Sequence, residues 1–326
     1  MNQMGLKIFI LLVFFSASAG WADSAFPQLK VVPWNGHRAA TSLTFDGGDP
    51  SQLDLVVPEL NRRKMHGTFF LVANQISRKD EWRKLLAEGH EIGNETLDGK
   101  HAIELTPKDE DAQVIGAQNV LQKEFGIAVN TFAYPLGEVS PGLKQHAERS
   151  HLLARGGEGI KDLKSNVIPD WMNLPSRAAQ THLLFSIYEG WINQTLKDRA
   201  WTVLTIHSLE GTTKGTQPIP IKIFEKILNF LQSKDIWVGT FLEVGSYFKA
   251  QKAFEKSWVR TKGSERKYDW DNPYPFLMNV VLKIRFGVGS EGHYEIWQGG
   301  RKLLPDEKSF YPVAFDKKEL TLRLLP

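Results

Sequence analysis

The residues best suited to chemistry stand where two apolar runs of the chain end. Asp46 follows the run at residues 40–45 and precedes two glycines, in the stretch SLTFDGGDP, and His207 follows a second run at residues 201–206. A carboxylate can accept a proton from water, and an imidazole can donate one near neutral pH. Both residues are therefore candidates for a site. A turn or helix cap is the alternative for Asp46, and a buried structural position is the alternative for His207.

These residues belong to a region in which short apolar runs alternate with stretches of helical periodicity. The runs at 40–45, 67–72, 131–134, 201–206 and 236–241 are nearly continuous and rich in β-branched or aromatic residues, which is typical of buried parallel strands. The helical stretches are 53–64, 80–88, 107–125 and 221–234. This alternation predicts an α/β barrel or an open parallel sheet. In a barrel, ligands bind at the carboxyl ends of the strands, where Asp46 and His207 would both lie.

Both ends of the chain differ from this alternating region. Residues 1–22 have the parts of a secretory signal peptide, with Lys7 before the apolar run IFILLVFF and the small-residue stretch SASAGWA after it. We expect signal cleavage and a periplasmic or secreted protein without a membrane span, and an uncleaved anchor is the alternative. From about residue 260 the chain is turn-rich and contains the hairpin signal QGGRK. The sequence thus predicts a signal peptide (1–22), an α/β domain (23–259) and a small antiparallel β module (260–326).

The composition limits which kinds of catalytic residue and of binding partner are to be expected. The 326 residues include 40 basic and 37 acidic ones, and this small excess of positive charge does not indicate nucleic acid or an anionic membrane as a partner. Cysteine is absent, which excludes thiolate metal ligands and a cysteine nucleophile. Ten tryptophans, Trp171 and Trp258 among them, are scattered along the chain. Most tryptophans belong to a core, although their faces also stack well on sugar rings.

Five segments, in this order, resemble the polysaccharide deacetylase family, also called the NodB-homology domain or carbohydrate esterase family 4. They are SLTFDGGDP, GTFFLV, EGHEIGNETLDGKH, FAYPLG and WTVLTIHSLEG, and they cover about residues 39–246. The resemblance implies a deformed (β/α) barrel that removes acetyl groups from N-acetylated, sometimes O-acetylated, sugars. It also implies zinc or a similar divalent ion as cofactor and an acetylated polysaccharide or oligosaccharide as substrate.

The resemblance assigns roles to two groups of residues. It makes Asp46 the general base and His207 the general acid. The segment FAYPLG would line the substrate groove with Tyr134, Pro135 and Leu136, and the Leu136 backbone amide would help hold the oxyanion.

Two further residues are candidates for the same groove. Arg155, in ARGGEG, is placed to orient Asp46, and a surface position is its alternative. Trp171, with Asp170 before it, resembles a family segment that forms a groove wall and steadies the acid.

The metal-ligand positions implied by the resemblance are altered. The ligand Asp falls on Gly47, and the two ligand His fall on Glu95 and Gly99. Glycine has no side chain to coordinate a metal, so only Glu95 keeps a suitable group. A rebuilt shell of Glu95, His101 and Asp49 is one interpretation, because carboxylates and an imidazole suit a divalent ion. Solvated loop charges are the other.

Three functions therefore stay open. The first is an exported metal-dependent deacetylase, a hydrolase of amide bonds. The second is a catalytically inactive relative that binds cell-envelope glycan. The third is a hydrolase that uses Asp46 and Glu95 as paired carboxylates, which glycoside cleavage would require at about 5 to 9 Å separation.

Overall fold

The computed structural model describes residues 26–158, 162–210, 217–273, 277, 279–287 and 293–325. The predicted signal peptide at 1–22 lies outside these described residues. Within the described ranges, no helix is long and apolar enough to cross a membrane.

The strands and helices are numbered in chain order. The strands are β1 (Leu29–Val31), β2 (Ala39–Asp46), β3 (Thr68–Leu71), β4 (Glu91–Asn94), β5 (Thr131–Ala133), β6 (Leu153–Glu158), β7 (Leu163–Lys164), β8 (Leu174–Ala178), β9 (Ala200–Ile206), β10 (Ile236–Val238), β11 (Trp258–Lys262), β12 (Glu265–Asp269), β13 (Val281–Phe286), β14 (Tyr294–Gln298), β15 (Arg301–Lys302), β16 (Tyr311–Ala314) and β17 (Glu319–Leu324). The α-helices are α1 (Val57–Arg62), α2 (Lys79–Ala87), α3 (Pro107–Asp111), α4 (Ala117–Phe125), α5 (Pro141–Ser150), α6 (Phe185–Asp198), α7 (Ile221–Gln232) and α8 (Phe241–Phe254). Single π-helical turns, Gln52–Val56 and Ala112–Gly116, lead into α1 and α4.

A closed barrel of parallel strands forms the centre of the chain. Its order is β2-β3-β4-β5-β6-β8-β9, and β9 pairs in parallel with β2 to close it. Outside the closure, β10 lies parallel to β2 and β7 lies antiparallel to β9. Helices follow β2, β3, β4, β5, β8 and β9, so the predicted (β/α) barrel is confirmed.

Strand β2 shows how alternation along a strand builds the barrel. All eight of its residues are buried. Leu43 and Phe45 pack among the apolar side chains of the surrounding helices. Thr44 and Asp46, at the alternate positions, accept hydrogen bonds from the Arg155 side chain inside the barrel. The interior therefore carries polar groups toward the end of the strand at which Asp46 lies.

The amino end of the barrel is closed by the start of α8. Phe241 packs against the rings of Phe70 and Trp201, with centroids 5.9 and 5.4 Å apart. Thr240 caps the helix in a reciprocal pair with Glu243. The run predicted as a strand at 236–241 therefore ends early, at Val238, because the cap at Thr240 starts a helix.

The C-terminal strands form two antiparallel sheets, which confirms the predicted β character of this region. One sheet has the order β1-β13-β16 and the other β11-β12-β17-β14-β15. Gly299 and Gly300 turn the β14–β15 hairpin at φ +55° and +76°, as QGGRK predicts.

The strand β1, which precedes the barrel in sequence, belongs to the first of these two sheets. The apolar core is continuous from α8 into both sheets. The boundary at residues 259–260 stays a prediction.

Candidate active site

Four side chains converge at the carboxyl end of the barrel. Asp46 is the last residue of β2, Glu95 follows β4, Arg155 lies in β6 and His207 follows β9. Arg155 Nη2 donates to Asp46 Oδ2 over 2.6 Å, and His207 Nε2 lies 4.0 Å from the same oxygen. The structure thus brings together the two residues predicted to be catalytic and the arginine predicted to orient one of them.

The position of Asp46 is fixed by Arg155, which is buried inside the barrel. The Arg155 side chain is 3% exposed and that of Asp46 is 6% exposed. Arg155 Nη1 also donates to the hydroxyls of Thr205 and Thr44, and its guanidinium lies 5.1 Å from the centre of the Phe70 ring. A buried charge is tolerated when it is paired and hydrogen-bonded, as here. Arg155 is therefore not the surface residue of the alternative interpretation.

One residue that the sequence did not single out joins the two strands of the site. Gln52 is fully buried, and its side-chain amide donates to the carbonyl oxygens of Asp46 at 2.6 Å and His207 at 2.9 Å. This holds the carboxyl ends of β2 and β9 together. Thr44 and Thr205 were also missed, although each stands two residues before a predicted catalytic residue. Side chains two residues apart in a strand share a face, which is the signal that could have found them.

An open cleft of about 460 Å³ lies over these residues. Its walls include Asp46, Leu136, Arg155, Ser176, Gln180 and His207. Three buried polar atoms here have no hydrogen-bond partner among the described residues: Asp46 Oδ1, Arg155 Nε and His207 Nδ1. Buried polar groups are normally paired, so these atoms indicate where water or a ligand binds.

The segment FAYPLG contributes to the cleft unevenly. Leu136 lies on the cleft wall, is 63% exposed and has a left-handed φ of +56°. Tyr134 and Pro135 are buried beneath it, and the Tyr134 hydroxyl donates to the Met172 carbonyl over 2.8 Å. Of the three residues of this segment that were predicted to bind substrate, only Leu136 lines the cleft. Gly137 is required there, because a Cβ would stand 2.1 Å from the Cα of Gly157.

Glu95 is bound to the backbone beside Asp46. The Gly47 N–H donates to Glu95 Oε2 over 2.6 Å, and Glu95 is only 8% exposed. Burial raises the pKa of Glu95 well above its usual range, and the neighbouring Asp46 carboxylate raises it further. Glu95 is not among the residues that line the cleft. The paired-carboxylate interpretation therefore has no support in this geometry.

The predicted metal shell of Glu95, His101 and Asp49 is not assembled. Asp49 Oδ1 accepts hydrogen bonds from the backbone and hydroxyl of Ser51, and His101 Nδ1 lies 3.1 Å from Glu138 Oε1 at the surface. No group of three or more His, Asp or Glu residues within the described part of the chain is arranged to hold a metal ion.

At the family's ligand positions, Gly47 and Gly99 have no side chain, and the buried Glu95 is bonded to the Gly47 backbone. These residues do not fit the family's divalent ion.

Trp171 lies at the other end of the barrel, so its predicted role in the groove is wrong. It precedes β8 and packs against Phe248 of α8, with ring centroids 5.2 Å apart. Its neighbour Asp170 pairs with Lys144 over 2.6 Å and does not contact His207. The reason is directional: residues before a parallel strand lie at its amino end, whereas the site is built from residues at the carboxyl ends.

Comparison with known proteins agrees with this architecture. Residues 35–152 match the family model described as polysaccharide deacetylase. A solved structure described as a putative polysaccharide deacetylase from Mycobacterium smegmatis superposes with a TM-score of 0.56 at 16% identity, covering 73% of this chain and 99% of its own. The resemblance recognised from the sequence is thereby supported: residues 35–152 match the polysaccharide deacetylase model, and the solved structure shares the barrel fold.

Three curated relatives were found. A gellan lyase from Bacillus sp is 24% identical over 286 residues, which cover 78% of this chain and 11% of the lyase. Peptidoglycan-N-acetylmuramic acid deacetylase PdaC from Bacillus subtilis is 25% identical over 199 residues, covering 58% of this chain and 42% of the relative. A peptidoglycan-N-acetylglucosamine deacetylase from Bacillus cereus is 27% identical over 237 residues, covering 71% and 77%. The chain thus spans only a minor part of the length of the first two relatives.

Proposed function

We propose that this protein is an exported hydrolase that removes acetyl groups from an N-acetylated or O-acetylated glycan of the cell envelope. The observation that carries the proposal is the convergence of Asp46 and His207 on one open cleft, with Asp46 fixed by a buried arginine. Two of the relatives are named as peptidoglycan deacetylases, which supports the choice of substrate class. The predicted signal peptide supports a periplasmic or secreted location.

The proposed reaction uses the residues of the cleft in sequence. Asp46 accepts a proton from water as the water oxygen attacks the acetyl carbonyl. The Leu136 backbone N–H stabilises the resulting oxyanion. His207 then donates a proton to the departing sugar nitrogen or oxygen, which releases acetate and the deacetylated sugar. Arg155 orients the Asp46 carboxylate throughout.

No step of this reaction passes through a metal ion, because the ligand positions do not fit one. Since an ester carbonyl is more electrophilic than an amide carbonyl, we expect O-acetyl groups to be removed faster than N-acetyl groups.

The test is acetate release by the purified mature protein from an N-acetylated chito-oligosaccharide and an O-acetylated xylo-oligosaccharide. Asp46→Asn and His207→Gln should each lower the rate about 100-fold or more, in the range typical of lost acid–base catalysis. EDTA should leave the rate unchanged. Because Asp46→Asn leaves the Arg155 charge unpaired, its folding must be checked by circular dichroism, and His207→Gln serves as the variant that does not disturb this pair. Activity that survives both substitutions would disprove the mechanism, and activity lost to EDTA and restored by zinc would disprove its independence from metal.

A second function, glycan binding without turnover, is favoured by one observation: glycine stands at two of the three ligand positions of the family. In that case the same cleft would hold an acetylated glycan through the unpartnered atoms of Asp46 and His207. Titration calorimetry with the chito-oligosaccharide would then show binding that is unaffected by chelator, while no acetate is released from either substrate.

A further inference from the structure

A second cleft, of about 320 Å³, lies at the amino end of the barrel. It is bounded by the last turns of α8, the segment before β8 and the start of β11. Lys249, Lys252 and Lys256 line it along α8 and just past its end, and Trp171 and Trp258 also line it. None of these residues has a part in the reaction proposed above.

One lysine of this cleft is available to an anion. Lys252 is 9% exposed and its Nζ pairs with Glu255 over 2.8 Å, whereas Lys256 is exposed and forms no ion pair with any described residue. Asp271 is the acidic residue on the cleft wall. Lys256 is thus the ammonium group that can attract an anion. Lysine donates charge-assisted hydrogen bonds to carboxylate or phosphate oxygens.

The deepest of these lysines is costly to bury. Lys249 is 3% exposed, and its ammonium donates to the Leu152 carbonyl over 2.7 Å and lies 5.2 Å from the Trp171 ring centre. Burial lowers the pKa of Lys249 to about 7, because the charged form has lost its water. An anion bound nearby would favour the charged form.

The aromatic part of the cleft is exposed at its rim. Trp258 is 58% exposed, and Ile168 beside it is 60% exposed. Together the two side chains form an exposed apolar patch at the rim of a polar cleft, and such patches mark binding surfaces. A flat indole face gives a sugar ring a stacking surface, while nearby ammonium groups bind a substituent acid.

We propose that this amino-end cleft binds an acidic saccharide unit, with its ring on Trp258 and its anionic group on Lys256. The anionic character follows from the unpaired Lys256, whereas the choice of a saccharide rests on the proposed function. The cleft then anchors the protein on an acidic polymer independently of the catalytic cleft at the opposite end of the barrel.

The test uses calorimetry on the mature protein with tetragalacturonate, which is acidic and carries no acetyl group, and with neutral cellotetraose. Tetragalacturonate should bind and cellotetraose should not. Trp258→Ala and Lys256→Gln should each weaken tetragalacturonate binding about 10-fold, in line with the loss of one stacking or one charged contact. The matched control is Lys226→Gln, which removes the same charge from an exposed position on α7 and should change the affinity less than twofold.

Several outcomes would overturn the proposal. An equal loss of affinity in Lys256→Gln and Lys226→Gln would show attraction by overall charge only. Unchanged binding in Trp258→Ala, or displacement of the tetramer by an equal concentration of inorganic phosphate, would show that the sugar ring is not recognised. His207→Gln should bind tetragalacturonate like the parent, so a failure of the deacetylase proposal and a failure of this one give different results.

Discussion

The two ends of strand β4 each hold a buried glutamate, but the surroundings of the two differ. At the amino end, Glu91 accepts hydrogen bonds from the Thr68 hydroxyl at 2.8 Å, from the Leu242 N–H at 2.9 Å and from the Thr131 hydroxyl. At the carboxyl end, Glu95 is held by the Gly47 N–H, beside a cleft with three unpartnered buried polar atoms. Complete pairing marks the amino-end glutamate as part of the scaffold, and incomplete pairing marks the carboxyl end as the place where a ligand completes the structure.

The largest effect should come from His207, whose removal tests the carboxyl end of the barrel, where the candidate active site lies. His207→Gln is expected to lower the acetate-release rate at least 100-fold, which corresponds to about 3 kcal/mol of transition-state stabilisation. The free energy of unfolding should change by less than about 1 kcal/mol, since the ring is 30% exposed and its Nδ1 has no partner among the described residues. Rates and urea denaturation measured on the same preparation check both statements. A large loss of stability would instead make His207 a structural residue.

Removal of Glu91 tests the amino end of β4. Glu91→Ala leaves three buried donors unpaired and is expected to lower the free energy of unfolding by about 3 kcal/mol. The catalytic constant of the protein that remains folded should stay the same. Urea denaturation gives the first quantity and initial rates at saturating substrate give the second. Glu91→Gln, which keeps an oxygen acceptor, is the milder control, and equal losses in the two variants would contradict the argument from hydrogen bonds.

The buried His151 contrasts with His207 of the candidate site. His151 is buried, and its ring nitrogens meet Asn94 Nδ2 at 3.2 Å and Ser150 Oγ at 2.8 Å. Burial lowers the pKa of His151 from 6.5 to about 3. Between these values the unfolded chain binds a proton that the folded chain does not, so stability is lost as the pH falls below 6.5.

Denaturation at pH 7 and pH 5 measures this linkage. The parent protein should lose about 2 kcal/mol more than His151→Gln over this interval. An equal loss in both proteins would show that His151 is protonated in the fold.

The smallest effect is expected at Asp170, the residue that family resemblance would place beside the catalytic acid. Its carboxylate pairs with Lys144 at the surface, where an ion pair contributes about 0.5 kcal/mol or less. Asp170→Asn should therefore change the acetate-release rate less than twofold and leave urea denaturation nearly unchanged. A 10-fold slower reaction would restore the family role to Asp170 and require a rearranged loop.

The sequence predicted the barrel where the apolar signal was strong. The runs at 40–45 and 201–206 became β2 and β9, because both faces of these strands are buried and the pattern is continuous. Strand β4 was seen only as a motif, since Glu91 and Asn94 are polar and their burial depends on partners from distant parts of the chain. Helix α8 was not among the predicted helices, and the strand-like apolar run that continues into Phe241 hides its cap at Thr240.

The same limit applies to the site. Asp46 and His207 could be named as candidates because an apolar strand that stops at an ionisable residue is a local signal, and the resemblance to the family supplied their roles. The contacts of Asp49 with Ser51 and of His101 with Glu138 could not be predicted, because the sequence does not show which partner a loop side chain contacts. Trp171 was misplaced because a short motif does not report at which end of a strand it lies.

Strand β1 has a mechanical consequence for the whole molecule. It precedes β2, the first strand of the barrel, and pairs with β13 of the C-terminal sheets. Tyr247 of α8 donates a hydrogen bond over 2.6 Å to the carbonyl of Val32, the residue after β1. The C-terminal sheets are thereby joined to the barrel by the strand that precedes it as well as by the chain that follows α8. The two should melt together in one calorimetric transition, and a pulling force applied through the N-terminus would load the β1–β13 ladder before it reached the barrel.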